Sequence, residues 1–401
     1  MIFLYYFFAV LLVYLSYKSF RGGFEYLAFF RREAARPRSG YRPFCSIIAP
    51  CKGLDQELEK NLVALFEQDF PTYEVIFVVD DKSDPAVPII EKIRRTDAGT
   101  ERMSRIVVAQ KATQSGQKVE NLREAVLHIS PKSEVFVFVD SDARPRPQWL
   151  GNLIAPLEDE KIGCASGYRW FIGKGLSLAT EMRAVWNASI ASALGADTRN
   201  NFCWGGALAV RRETFEKLDL REKWRGVLSD DFAVTRAMNE ADLPIFHVPE
   251  ALTPSVENCT FREMLEFTTR QMKITRVYGP KYWMMSLIGS GLFNAVMLTS
   301  LLLLVFSGHF WIPLVVILLV SLFSIGKSWL RLKAVRLVLK DYERELDRQF
   351  WMQNTLWLFA PPLFFYNCLA ALLSRKIVWR GIRYELKSPT ETVILGAHLR
   401  N

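Results

Sequence analysis

EVIFVVDD (residues 74–81) and EVFVFVDSD (residues 134–142) decide the fold. Each is an unbroken run of β-branched and aromatic residues, short and closed by acids, as a strand buried on both faces requires. FCSIIAP (44–50) and RIVVAQK (105–111) are runs of the same kind, and the amphipathic stretches DQELEKNLVALFEQ (55–68) and VENLREAVLHI (119–129) lie between them. Apolar strands alternating with helical patterns predict a parallel sheet covered by helices on both faces. Ligands of such sheets bind beyond the carboxyl ends of the strands. Those ends are acidic here: Asp80 and Asp81, with Asp84 following, and then Asp140 and Asp142.

The flanks of this α/β region are of a different character. Of the 401 residues half are hydrophobic, and they are spread unevenly. Residues 1–17 carry no charge and nearly reach the roughly 20 residues a bilayer span needs. Lys18, Arg21, Arg31, Arg32, Arg36, Arg38 and Arg42 come after them, with no A-x-A cleavage pattern, so a retained anchor is expected and not a signal peptide. Residues 283–326 contain no Asp, Glu, Lys or Arg, about twice the length of one span, and read as a helical hairpin turning near Ser307-Gly308. A further apolar segment, 350–373, is interrupted by Pro361-Pro362, which suits either a kinked span or a re-entrant turn.

The expected organisation is an anchor (1–20), an α/β domain (40–260), an interfacial segment (261–282), the hairpin (283–326), a basic amphipathic cytoplasmic helix (327–349), the third apolar segment (350–373) and a basic tail (374–401). Basic residues after the first span and at Lys327, Arg331, Lys333 and Arg336 put residues 18–281 in the cytoplasm by the positive-inside bias. The tail's Arg375, Lys376, Arg380 and Arg383 obey that bias only if 350–373 turns back. The net charge of +9 is concentrated beside apolar spans, where anionic headgroups are the nearer partner, and no nucleic-acid motif accompanies it. The six cysteines show no metal spacing and are expected to be reduced and structural.

Packed carboxylates repel unless a cation lies between them, and Mg²⁺ or Mn²⁺ is commonly held by one or two carboxylates plus substrate phosphates. Asp140-Ser141-Asp142 at a strand end fits such a metal–diphosphate site, and it also fits an ordinary turn in which Asp bonds the backbone. Lys118, in GQKVEN at the start of an amphipathic helix, suits a diphosphate contact or a solvated lysine. Trp204-Gly205-Gly206 precedes an apolar strand. Leu228-Ser229-Asp230-Asp231 opens the helical FAVTRAMNEA, where a cap explains one polar residue but not two adjacent acids. A carboxylate there could take the proton of an attacking hydroxyl. FREMLEFTTRQMKITRVYGPKYW (261–283) reads as an interfacial helix with Arg270, Lys273 and Arg276 on one face.

In this order, Asp84 in DDKSDPA, Asp140 in VDSDARP, Asp231 in SDDFAVTRA and RQMKI (270–274) resemble the D, D, D, (Q/R)xxRW signature of family 2-type membrane glycosyltransferases. The nearest resemblance is to ceramide glucosyltransferases and their bacterial relatives, and it extends over IIAPCKGLD, GQKVENL and WRGIRYEL (379–386). It implies a GT-A fold, a Rossmann-like mixed sheet with transmembrane helices at both ends, a UDP-sugar donor, Mg²⁺ or Mn²⁺, and inversion at the anomeric carbon. By the same resemblance Pro50, Lys52, Asp80, Asp81 and Asp84 belong to the nucleotide side. Lys118, Asp140 and Asp142 belong to the metal–diphosphate, with Asp140 and Asp142 as ligands. Asp231 would be the base, Asp230 its support, and Arg270, Gln271 and Lys273 would hold the leaving diphosphate. Lys273 and Ile274 replace the usual Arg and Trp. The implied acceptor is a membrane lipid such as ceramide, and the implied setting a bacterial inner membrane, or a Golgi-type membrane in a eukaryote.

Competing readings are a processive polysaccharide synthase, which needs a channel of more spans, and a haloacid-dehalogenase-like phosphatase, whose D-x-D should follow the first strand. A membrane scaffold without activity gives no reason for acids at successive strand ends.

Overall fold

A computed structural model describes residues 2–37, 39–96, 103–306 and 310–397. The chain forms two compact units: residues 1–34, 173–192 and 258–374 make a helical unit, and residues 35–172, 193–257 and 375–401 make a sheet unit.

The sheet unit is built on β1 (Cys45–Pro50), β2 (Tyr73–Val79), β3 (Ser104–Val108), β4 (Val135–Val139), β5 (Cys164–Ser166), β6 (Arg169–Ile172), β7 (Ala207–Arg211), β8 (Ile245–His247) and β9 (Thr253–Val256). Seven of these form one sheet in the order β3-β2-β1-β4-β7-β5-β8. The first four strands are parallel, as the alternating pattern predicts. The parallel expectation is corrected at β7, which runs antiparallel to both β4 and β5, so the sheet is mixed. The consequence is functional. Ala207 pairs with Val139, so Trp204-Gly205-Gly206 enters β7 at the edge where Asp140 leaves β4. A parallel strand delivers the residues that follow it to this edge, and an antiparallel strand delivers those that precede it.

Val75 to Val79 in β2 and Val135, Val137 and Val139 in β4 have no exposed surface. Burying each such side chain contributes roughly 1.5–3 kcal/mol, which is why these runs tolerate no polar residue until the sheet ends. β6 and β9 form a separate parallel pair. The tail adds β10 (Lys376–Trp379), β11 (Ile382–Ser388) and β12 (Glu391–Ala397), an antiparallel sheet of its own within this unit. All six cysteines are free and buried.

The helical unit contains Ile2–Ala34, Leu178–Ala191, Phe261–Tyr278, Pro280–Phe306, Trp311–Val338, Glu343–Leu356 and Ala360–Leu373. Among the described residues four helical segments are long and apolar enough to cross a membrane: Ile2–Ala34, Pro280–Phe306, Trp311–Val338 and Lys340–Leu373, the last containing a 3₁₀ turn at Trp357–Phe359. Their outward side chains are large and apolar, Ile288, Leu298, Leu301, Leu318 and Leu322 among them, as a lipid solvent requires. The chain is a mixed α/β protein with apolar helices at both ends.

Two helix boundaries differ from the sequence reading. The turn expected at Ser307-Gly308 lies outside the described residues. The basic stretch 327–349 is not one helix, because its first part continues Trp311–Val338 and its end belongs to Glu343–Leu356. Pro361 stands in the first turn of Ala360–Leu373, where its missing N–H costs nothing and its fixed φ suits a helix start. The prolines therefore begin a helix after a break at Trp357–Phe359 and do not kink one.

Candidate active site

Beyond the carboxyl ends of β1 and β2 the acids meet lysines. Pro50 closes β1 opposite Val78, and two residues on Lys52 Nζ lies 2.5 Å from Asp80 Oδ2. Lys111, just past β3, reaches Asp80 Oδ2 at 3.3 Å and Asp81 Oδ2 at 3.2 Å. The Ser83 backbone N–H, then the Ser83 hydroxyl and Lys111, hold the Asp81 carboxyl down to about 2. Asp80 is buried, and its Oδ1 has no hydrogen-bond partner among the described residues. Asp84 is differently employed: its carboxylate accepts from the Gly53 N–H at 3.0 and 3.1 Å and from the Ala86 N–H at 2.9 Å. It thus ties the loop after β1 to the start of Ala86–Thr96.

The second group of acids surrounds Lys118, in the first turn of Gln117–Ala125. Its Nζ lies 2.8 Å from Asp140 Oδ1 and 3.2 Å from Asp230 Oδ1. Burial opposes the ammonium, but Asp140 and Asp230 outweigh it and raise its pKa. Arg169 of β6 completes the pairing, 3.0 Å from Asp140 Oδ2 and 3.2 Å from Asp142 Oδ2, with its guanidinium 4.9 Å from the centre of the Trp204 ring. Burial pushes the Asp140 carboxyl up, while Lys118 and Arg169 pull harder, so it stays below its ordinary value. Asp142 Oδ1 is buried without a hydrogen-bond partner among the described residues.

Gly205 passes against this cluster. A Cβ there would overlap Asp230 Oδ2 and lie 2.9 Å from Lys118 Nζ, so any side chain larger than glycine's hydrogen would have to displace the ion pair.

Asp230 and Asp231, adjacent at the start of Asp230–Glu240, have unlike surroundings. Asp230 is buried, and burial, with Asp231 and Asp140 adding to it against Lys118, pushes its carboxyl up to about 6. Asp231 is partly exposed. Its Oδ1 accepts from the Ser229 hydroxyl and from the Phe232 N–H at 2.8 Å, while nothing bonds Oδ2 among the described residues. Ser229 is the N-cap, but its hydroxyl is turned to Asp231 and caps no backbone N–H.

In the helical unit Arg270, Gln271 and Lys273 lie half-buried on Phe261–Tyr278. Burial lowers the Lys273 pKa, and the Arg270 guanidinium stands 5.5 Å from the Phe267 ring centre. Arg276, expected on the same face as Arg270 and Lys273, is engaged within the helical unit. Its Nη1 donates to the carbonyls of Ala371 at 2.6 Å and Leu372 at 3.0 Å, the open C-terminal acceptors of Ala360–Leu373, where a cation is favoured.

Of the expected residues, Lys52 with Asp80 and Asp81, and Lys118 with Asp140 and Asp230, are brought into ion-paired clusters along one sheet edge. Lys111 and Arg169 were missed. Lys111 ends the quoted RIVVAQK, so a rule of inspecting the residues after each strand reaches it. Arg169 lies inside a strand and is selected only by the pairing of β6 beside β9.

The chain's own residues suit a divalent cation that a diphosphate would complete. Among the described residues no three His, Cys, Asp or Glu side chains gather as a ligand set, yet Asp142 Oδ1 is an orphaned buried acceptor beside Asp140. Two carboxylates with the rest supplied by phosphate and water is a common arrangement for Mg²⁺. The phosphatase alternative loses ground, since Asp140 follows the fourth strand and is held between Lys118 and Arg169.

The family model of glycosyl transferase family 21 matches residues 5–392. Among curated proteins, a ceramide glucosyltransferase of Komagataella phaffii is 31% identical over 77 residues, 19% of this chain and 15% of that protein. One of Gibberella zeae is 26% identical over 182 residues, 40% of this chain and 34% of that protein. The chain thus aligns with well under two thirds of either relative. Among solved structures, the mannosyltransferase PcManGT from Pyrobaculum calidifontis, in complex with GDP-Man and Mn²⁺, is 16% identical with a TM-score of 0.44, over 90% of this chain and 99% of that one. GalNAc-T7 with UDP, GalNAc and Mn²⁺ is 12% identical with a TM-score of 0.42, over 60% of this chain and 53% of that one.

Proposed function

The chain belongs to glycosyl transferase family 21, and from that premise we propose that it transfers a hexose, glucose foremost, from a UDP-sugar to a hydroxyl of a membrane lipid such as ceramide, with inversion, at the cytoplasmic face. The observation that carries this reading is Lys118 seated between Asp140, at the end of β4, and Asp230, at the start of the next acidic helix. That lysine joins the two acidic sites in one charge-balanced cluster, and a scaffold has no use for the arrangement.

Asp80, with its open buried Oδ1, suits the N–H of a nucleobase or a ribose hydroxyl, while Lys52 and Lys111 pair with its other oxygen. Asp84 then acts by shaping the loop that carries Lys52. Asp140 and Asp142 would hold Mg²⁺ or Mn²⁺, which when bound stabilises negative charge on the diphosphate. Asp231 Oδ2 takes the proton of the acceptor hydroxyl as its oxygen attacks the anomeric carbon, while the bond from that carbon to the UDP oxygen breaks on the opposite face. Ser229 and the Phe232 N–H fix the Asp231 carboxylate by Oδ1, which leaves Oδ2 aimed by its own geometry. Asp230 keeps Lys118 in place. Arg270, Gln271 and Lys273 are assigned to the leaving diphosphate by the signature.

The tail supports one topology. β10–β12 share the compact unit of the sheet, so the chain is back on the catalytic side after Leu373. If Pro280–Phe306 and Trp311–Val338 cross out and return, Lys340–Leu373 must enter and leave by the same face. It is then re-entrant, and Arg375, Lys376, Arg380 and Arg383 lie inside with the other basic residues.

The test is reconstitution in lipid nanodiscs with UDP-glucose and either ceramide or diacylglycerol, reading UDP release together with the mass of the lipid product. The expected result is a lipid heavier by one hexose, lost with EDTA and restored by Mn²⁺. Full turnover after exhaustive chelation would remove the metal from the reading. Absence of UDP release with every hexose donor and lipid would overturn it.

A further inference from the structure

The C-terminal strands reach three of the loops that carry the acidic site. Between β10 and β11, Trp379 pairs with Ile382, and the two residues of the turn, Arg380 and Gly381, have φ of 50° and 78°. Two positive φ values in a two-residue hairpin loop make a type I′ turn, whose first central position ordinarily belongs to Asn, Asp or Gly. An arginine there is strained, and strain of this sort persists where the side chain has work to do.

That side chain has a defined partner. Arg380 Nη2 lies 2.5 Å from Asp55 Oδ1. Asp55 Oδ2 in turn accepts from the Ser141 hydroxyl at 2.5 Å, and Ser141 is the residue between Asp140 and Asp142. Further along the tail the buried Tyr384 hydroxyl accepts from the Gln117 N–H at 3.2 Å, next to Lys118. Gly226, at φ 77°, passes so close to the Thr390 carbonyl that a Cβ would overlap it, and the chain runs on from there to Asp230. The tail therefore touches Asp55, which bonds the D-x-D turn at Ser141, the start of the Lys118 helix and the approach to the acidic pair.

We propose that Arg380 is a positioning residue for the divalent-metal site: through Asp55 it holds Ser141, and so sets the turn that presents Asp140 and Asp142. This rests on the reading of those two acids as the metal side of a nucleotide-sugar site. Asp55 is almost wholly buried, with 7% of its side chain exposed, whereas Arg380 keeps 39%. Outer-shell partners of this kind typically change metal affinity about 10- to 100-fold when removed.

The experiment measures UDP binding to the full-length protein by calorimetry as Mn²⁺ is raised. Arg380→Gly is the informative variant, because glycine prefers the turn's φ and the hairpin should survive the loss of the side chain. The Mn²⁺ concentration for half-maximal UDP binding should rise about tenfold, with UDP binding in EDTA and the melting temperature little changed. Arg380→Lys should recover part of the effect. Asp55→Asn should give a similar rise, and the double variant should be no worse than either, since both act on Ser141. An unchanged Mn²⁺ requirement in Arg380→Gly overturns the inference, and additive effects in the double variant overturn its route through Asp55. If the wild-type protein binds no UDP at any Mn²⁺ concentration, it is the donor reading that fails.

Discussion

Replacing Gly205 by alanine perturbs the site by one methyl group at its tightest point. The new Cβ would overlap Asp230 Oδ2 and stand 2.9 Å from Lys118 Nζ, where ordinary contact begins at 3.4 Å. Asp230 has little room to yield, being 3% exposed, with its own carbonyl bonded by the Trp224 indole N–H at 3.2 Å. The carboxylate must therefore retreat by roughly an ångström and draw Lys118 from its 2.8 Å contact with Asp140, a misplacement able to cost about 10²-fold in rate. Overpacking should also cost about 1–3 kcal/mol of stability, some 2–10 °C in a domain of this size. The assay is UDP release in nanodiscs beside thermal unfolding, with Gly175→Ala as the control because nothing lies within 4 Å of a Cβ there. Expected is a folded Gly205→Ala protein with turnover down about 10²-fold or more and a control like wild type. A folded Gly205→Ala protein turning over at the wild-type rate would refute the claim that the Lys118–Asp230 contact organises the site.

Asp231→Asn should lower turnover on the order of 10²-fold or more while keeping UDP binding, since it retains size but cannot take a proton, and Asp230→Asn should cost less. The opposite order in single-turnover assays would exchange the two roles. Cysteines introduced at Phe310, between the two hairpin helices, and at Lys387, in a cysteine-free background, should be labelled differently in sealed right-side-out vesicles: a membrane-impermeant maleimide should modify the first and spare the tail, and modification of Lys387→Cys before permeabilisation would contradict the re-entrant topology. Burial holds the His247 imidazole down to about 4. Its folded pKa is thus below its unfolded value of about 6.5: the stability is fully present above pH 6.5 and is lost as pH falls toward 4, by up to about 3 kcal/mol. Thermal unfolding of His247→Phe across that window should show a shallower pH slope than wild type, and equal slopes would remove His247 as the cause.

Much of the fold is legible because burial and membrane insertion act on composition directly. A strand buried on both faces must be apolar throughout, so EVIFVVDD and EVFVFVDSD announce both the strand and the point where it meets solvent. A span must be uncharged over its length, so the first helix and the hairpin are visible without a structure. The acids Asp80, Asp140, Asp230 and Asp231 are likewise legible, because they follow such runs or open the helix that continues the pattern. The direction of β7 is not, since an apolar strand of five residues reads alike in either sense, and with that direction goes the reason for Gly205.

What the sequence by itself determined is therefore the class of protein: a mixed α/β domain with acids at its strand ends, set among apolar helices. Only the tertiary structure decided which cation answers which acid. Lys118 stands between Asp140 and Asp230, Arg169 braces Asp140 and Asp142, and Arg380 reaches Asp55 from 325 residues away along the chain. Hydrophobic periodicity is a local property, written into neighbouring residues by the face they bury. An ion pair needs only that two side chains end within a few ångströms, and that distance is set by the register and direction of strands far apart in the chain.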